Sequence, residues 1–181
     1  MTPLVAAVTG YAAALTVAGD VLLIWLMASI ALPRLRGQAF AWIGRHAVAV
    51  ACAAAMSGLA GSLFYSEFAE FPMCVLCVFQ RMLLIPQAVV LGIGVWHRRR
   101  IYADTALVLA ASGAIVAAYN QYLQFGGAEL VPCGAEGGAC ARRFFVEFGY
   151  VTIPMMALTC FGLIAAVLAI RRIVSFHGEK A

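Results

Sequence analysis

Charge is scarce in this chain of 181 residues. Asp, Glu, Lys and Arg make up 11% of it and hydrophobic residues 65%, whereas ordinary soluble domains carry about 25% charged residues. No polar block is long enough to fold separately, so the chain reads as one integral membrane domain, 1–181. Histidine is equally sparse: His46, His97 and His177 lie beside basic clusters, away from the cysteines, and receive no catalytic role. The net charge of +4 does not indicate nucleic-acid binding, because the basic residues flank apolar runs in short clusters, as topology signals do. No basic segment precedes the first apolar run, which argues against a typical secretory signal.

What is abundant is long apolar sequence. Five runs, at about 4–32, 47–66, 78–96, 104–125 and 150–170, are expected to span, since a membrane helix needs about 20 residues. The fold class is therefore all-α membrane protein. Asp20 lies within the first run, and an intramembrane acid is a functional candidate by default; the plainer reading is a carboxyl protonated or paired against a neighbouring helix. Gly58 and Gly61 suit close helix packing. Pro86 predicts a kink in the third run, and 142–148 predicts a short helix on the membrane surface. Alternate loops differ in basic residues. Nine fall on one side (Arg34, Arg36, Arg45, Arg98, Arg99, Arg100, Arg171, Arg172 and Lys180) and two, Arg142 and Arg143, on the other. The positive-inside rule then puts the N-terminus outside and the C-terminus in the cytoplasm.

This topology places two cysteine pairs, Cys74/Cys77 and Cys133/Cys140, on the outer face, where disulfides persist. Cys52 and Cys160 lie inside apolar runs and read as inert packing residues. Pro72 suits the first turn of a helix. A helix starting there sets Cys74, Cys77 and Arg81 at i, i+3 and i+7 on one face. The helix N-terminus and Arg81 would both favour thiolate, the reactive form. Arg81 at i+4 from Cys77 is expected to point at the thiol; its plainer role is snorkelling to head groups.

Four thiolates suit zinc or an iron–sulfur cluster, but the oxidising side and the arginine argue against a metal. Cys133 and Cys140, among glycines and Pro132, would either staple their loop or exchange. Two exposed pairs suggest a relay: the loop pair meets a soluble protein, and the pair at the helix start needs an acceptor that lives in lipid. A quinone is such an acceptor, and Arg81 would stabilise charge near it. Tyr119, Gln121, Tyr122 and Gln124 would line a quinone or partner site or, more simply, anchor at the interface.

Cys74-Val75-Leu76-Cys77-Val78-Phe79-Gln80-Arg81, with Pro86 beyond it, resembles the signature of the DsbB family of membrane disulfide-forming oxidoreductases. The likeness continues through Val131-Pro132-Cys133, Cys140 and Gly149-Tyr150-Val151-Thr152-Ile153-Pro154, over about 47–170. The close spacing of the second pair is more like the short-loop, BdbC-like branch. The resemblance implies a four-helix bundle in a bacterial cell (inner) membrane, a bound quinone (ubiquinone or menaquinone), and a soluble DsbA-like partner of thioredoxin fold. It implies that Cys77 is the quinone-proximal cysteine and Cys74 its disulfide partner. Arg81 would contact the quinone, Cys133 would exchange with the partner, and Cys140 would pair with Cys133 at rest. The first run, 4–32, is an extra helix without a counterpart in that core. The short Cys133–Cys140 spacing leaves less slack for this pair to reach Cys74. Two alternatives stand beside this reading. One is a quinone-linked thiol enzyme related to vitamin K epoxide reductase, in which the two pairs occur in the reverse order. The other is a non-catalytic membrane subunit with two structural disulfides.

Overall fold

The computed structural model describes residues 2–32, 34, 36–97, 100–129 and 140–178. Five helices, α1 (Pro3–Ala31), α2 (Gln38–Leu63), α3 (Val75–His97), α4 (Arg100–Gln124) and α5 (Ile153–Gly178), carry the chain. All five are long and apolar enough to cross a membrane, which makes this an all-α, multi-pass membrane protein. A π-helical turn, Phe64–Phe68, prolongs α2. Large apolar side chains such as Tyr11, Trp96 and Val108 stand exposed on the outside, where lipid tails would solvate them.

Helices α2 to α5 form a four-helix bundle in which each packs on the next and α5 closes back on α2. Its core is rich in alanine: Ala51, Ala55, Ala88, Ala106, Ala110 and Ala117 surround Leu84, Leu91, Phe161 and Ile164. Between lipid-solvated helices no hydrophobic force favours association, so small side chains that admit close backbone approach must provide the packing. Gly113 shows how tight it is, since a Cβ there would fall 2.4 Å from the Phe161 ring, which is itself fully buried. Gly113→Val should therefore cost about 1–3 kcal/mol by overpacking, read as a lower thermal midpoint in detergent.

Helix α1 lies outside the bundle, against α5. Gly19 sits against Thr159 and Leu163, and Gly162 against Leu23. Asp20 is partly buried in this seam. Tyr150 donates from its hydroxyl to Oδ2 at 2.9 Å and Thr159 to Oδ1 at 2.5 Å. The intramembrane acid is thus paired across a helix interface. At the other end of α1, Arg36 donates to the carbonyls of Ser29 and Ile30 and covers the Phe40 ring, satisfying carbonyls the helix end leaves free.

Three sequence-based expectations need correction. Helix α2 begins at Gln38, nine residues before the apolar run expected at 47; Arg45 does not end it, since a long cationic side chain near a helix end reaches the head groups without breaking the backbone ladder. Helix α3 begins at Val75, not at Pro72. The segment 142–148 is no helix: Glu147 pairs with Val151 in an isolated bridge. Its Phe144 stacks on Phe71 at 4.6 Å and Phe145 tilts against Tyr65 at 5.6 Å, so aromatic packing sets its path.

Candidate redox site

The site is built on the first turn of α3. With the helix starting at Val75, Cys74 occupies the N-cap, a position usually held by Ser, Thr, Asp or Asn. Its sulfur accepts from the Cys77 amide at 3.3 Å, the cap-to-N3 bond, while its carbonyl accepts from Val78 at 3.1 Å. The cap draws the two sulfurs together, and the Cys74 thiol donates to Cys77 Sγ at 3.0 Å. That hydrogen bond, reinforced by burial, pushes the Cys74 thiol well above its ordinary value.

Two further residues complete the cluster. Cys140 is buried with Cys74 and Leu123, with Cys77, Leu76 and Tyr119 packed around them. The restricted reach expected from the short loop spacing does not keep it away. Cys133 lies outside the described residues. The second contributor is Asn120 on α4, fully buried. Its Nδ2 donates to Cys77 Sγ at 3.6 Å and, at a longer 3.9 Å, to Cys74 Sγ. Its Oδ1 is buried without a hydrogen-bond partner among the described residues. Cys77 Sγ thus receives two donors, which stabilise negative charge that develops there. Nothing in the sequence singled Asn120 out; the only hint was its place in the polar, aromatic end of the fourth run.

Beside Cys77 opens a cavity of about 290 Å³, close to the lower end of small-molecule sites. Cys77, Gln80 and Arg81 line it from α3, Gly58 and Ser62 from α2, Met156 and Cys160 from α5, with Phe71 and Phe144 also on its wall. Arg81 does not point at the sulfur as expected. Its guanidinium donates to Ser62 O and Ser66 Oγ, each at 2.7 Å, and to Ser62 Oγ at 3.1 Å; Ser62 stands on the last turn of α2 and Ser66 on the π turn that follows it. The charge is thereby held against the cavity wall. Gln80 is buried and its Nε2 donor has no partner among the described residues. An orphaned donor beside a fixed cation, in an otherwise apolar hole, matches a ring bearing carbonyl oxygens, so the residues fit a quinone.

Other candidates fall elsewhere. Gln121 and Gln124 donate to the carbonyls of Tyr150 and Arg142, and the Tyr122 hydroxyl accepts from Ala128. Gln121 and Gln124 fasten the returning chain to α4 and Tyr122 holds the segment that leaves it, and neither they nor Tyr119 line the cavity. Cys160 donates to Ala54 O at 3.3 Å, tying α5 to α2, and Cys52 packs against the bundle core. Among the described residues no group of three or more His, Cys, Asp or Glu is arranged to hold a metal ion.

A family described as "Disulfide bond formation protein DsbB" matches residues 44–171. The chain belongs to the DsbB family. Similar proteins carry disulfide-formation names. "SPbeta prophage-derived disulfide bond formation protein B" of Bacillus subtilis (strain 168) is 35% identical over 107 residues, 59% of this chain and 72% of that one. "Probable disulfide formation protein C 2" of Bacillus anthracis is 32% identical over 132 residues, 72% of this chain and 94% of that one. "Probable disulfide formation protein" of Chlamydia pneumoniae is 33% identical over 132 residues, 72% and 95% of the two chains. No solved structure matches. As a DsbB-family member the chain is a membrane disulfide-forming oxidoreductase. The match includes the bundle residues that build the thiol cluster and leaves out α1.

Proposed function

We propose that this protein reoxidises a soluble, extracytoplasmic, DsbA-like partner of thioredoxin fold and delivers the electrons to a membrane quinone. The observation that carries this reading is the packing of Cys140, Cys74 and Cys77 in one cluster, with Cys77 on the wall of a cavity that Arg81 and Gln80 also line, the Gln80 Nε2 having no partner among the described residues. The cysteine end of the bundle faces outward, with the N-terminus outside and the C-terminus in the cytoplasm, as the arginine distribution argues.

The exchange balances as follows. A partner thiolate attacks Cys133 of the Cys133–Cys140 disulfide and releases Cys140. Cys140 attacks Cys74, breaking Cys74–Cys77 and freeing the Cys77 thiolate towards the cavity. The partner's second thiol resolves its mixed disulfide with Cys133 and leaves oxidised. Cys133 then attacks Cys140, restoring that pair and releasing Cys74. The Cys74/Cys77 dithiol gives up two electrons and closes again. A bound quinone supplies the two-electron, two-proton acceptor, and the partner's two thiols supply the protons. Arg81 and Gln80 would hold its oxygens.

The test is oxidation of a reduced DsbA-type dithiol partner by purified protein in detergent, with and without added ubiquinone or menaquinone analogues. Turnover should require quinone. Arg81→Ala should raise the quinone KM by about tenfold or more, since losing a hydrogen bond from a charged group costs about 1.5–3 kcal/mol. Inert disulfides and no turnover with any quinone would overturn the proposal and favour a stapled, non-catalytic subunit.

A further inference from the structure

We infer that α1, the helix outside the matched family region, is a wall of the quinone cavity that selects the acceptor by shape. The inference rests on the quinone reading above and adds a specificity element to it. Ala12, Leu15 and Thr16 of α1 line the same cavity as Cys77 and Arg81. Thr9 of α1 meets the hydroxyl of Tyr65, another lining residue, at 3.5 Å. A four-helix core alone would present this side of the cavity, between α2 and α5, to lipid, and a quinone arriving through the bilayer would meet an open groove. Here α1 stands across that approach.

The wall acts by volume rather than by hydrogen bonding. The Thr16 hydroxyl is already committed to Ala12 O at 2.8 Å, one turn back on its own helix, so it has no free hydrogen to offer a ligand. Ala12 is the smallest side chain α1 presents there. Apolar walls of this kind discriminate by about 10–200-fold per methylene-sized change. The wall is also fixed in place. Asp20, two turns further along α1 in the α5 seam, is bonded to Thr159, and Thr159 lines the cavity itself. Asp20 is a positioning residue: it holds α1 at the distance from α5 that sets the room available.

The test is a graded series, Ala12→Val, Ala12→Leu and Ala12→Phe, in the full-length protein. The first readout is binding: quinone retained through purification, extracted and quantified per mole, and the rise in melting temperature on adding a short-chain ubiquinone or a menaquinone analogue. The second is quinone KM. Retention should fall and KM should rise with side-chain size, by about tenfold at Phe, equivalent to about 1.4 kcal/mol. A single-turnover exchange with the partner, run without quinone, should not change. Ile24→Phe, on an exposed face of α1 away from the cavity, should behave as wild type. If Ala12→Phe does not fold, the Val and Leu members give the same slope. Wild-type binding and KM across the series would overturn the wall and leave the proposed function standing. Wild-type protein that neither binds nor reduces quinone would instead overturn both.

Discussion

Replacing Cys77 with serine should stop quinone-linked turnover and leave Cys74 joined to Cys140. The expected loss is on the order of a thousandfold or more, as for removal of a reacting nucleophile. The physical reason is position. Of the described cysteines in the cluster, Cys77 is the one that lines the cavity, whereas Cys74 and Cys140 are buried together on its other side. Serine retains the helix and the amide bond to the Cys74 cap, so the variant should fold. With no Cys77 to pair with, the Cys74 thiolate attacks Cys140 of the Cys133–Cys140 disulfide; the Cys74–Cys140 bond forms as that disulfide breaks, and Cys133 leaves as a thiol. Non-reducing peptide mapping of the oxidised variant, before any reduced partner is added, should find that linkage with Cys133 free, and wild type turning over with quinone should not accumulate it. A Cys77→Ser protein with full turnover would remove Cys77 from the path. One with no turnover and no Cys74–Cys140 linkage would show that Cys74 and Cys140 do not exchange.

The second large effect is expected at Asn120. Its amide donates to Cys77 Sγ from a fully buried site, and its own carbonyl oxygen has no partner among the described residues. A hydrogen bond to a charged group is worth about 1.5–3 kcal/mol, so Asn120→Leu should slow the chemical step by about ten- to a hundredfold. Removing a half-satisfied buried amide should at the same time cost little stability, or gain some, because the orphaned oxygen goes with it. That opposition separates a positioning role from a structural one. The discriminating readout is the rate of Cys77 alkylation in reduced protein at a fixed pH, which should fall in Asn120→Leu and stay put in a core variant such as Gly113→Val. An unchanged rate would mean the contact is packing alone.

Much of this molecule was legible in its sequence for a simple reason. Spanning helices are specified by local composition, and runs of 20 or more apolar residues leave few alternatives. Helices α1, α3 and α4 lie close to where the apolar runs placed them, and α5 begins near its expected start but runs on to Gly178, past the expected end at about 170. The start of α2 was missed because Arg45 reads as a boundary in composition, whereas a backbone ladder does not need apolar side chains at its head-group end. The dithiol motif was legible because Cys74 and Cys77 are three residues apart. Residues brought together by tertiary packing were not. Asn120 reaches the sulfurs from another helix, Cys140 arrives through a loop, and Arg81 turns to Ser62 on α2 and to Ser66 on a π turn that composition does not announce. The aromatic pair Phe144 and Phe145 suggested an amphipathic helix, but their partners Phe71 and Tyr65 were already waiting in space. Asp20 was visible as an anomaly, and only the structure supplied Tyr150 and Thr159.

The Cys74 cap has a consequence of its own. The atom that closes the first turn of α3 is the atom through which the proposed relay passes its electrons. A sulfur that leaves to bond Cys140 cannot keep the same hold on the Cys77 amide. On the proposed relay, each cycle would unfasten and refasten the tip of a transmembrane helix. The oxidation state of the protein would then be readable in its backbone, as the rate at which the Cys77 amide proton trades places with solvent.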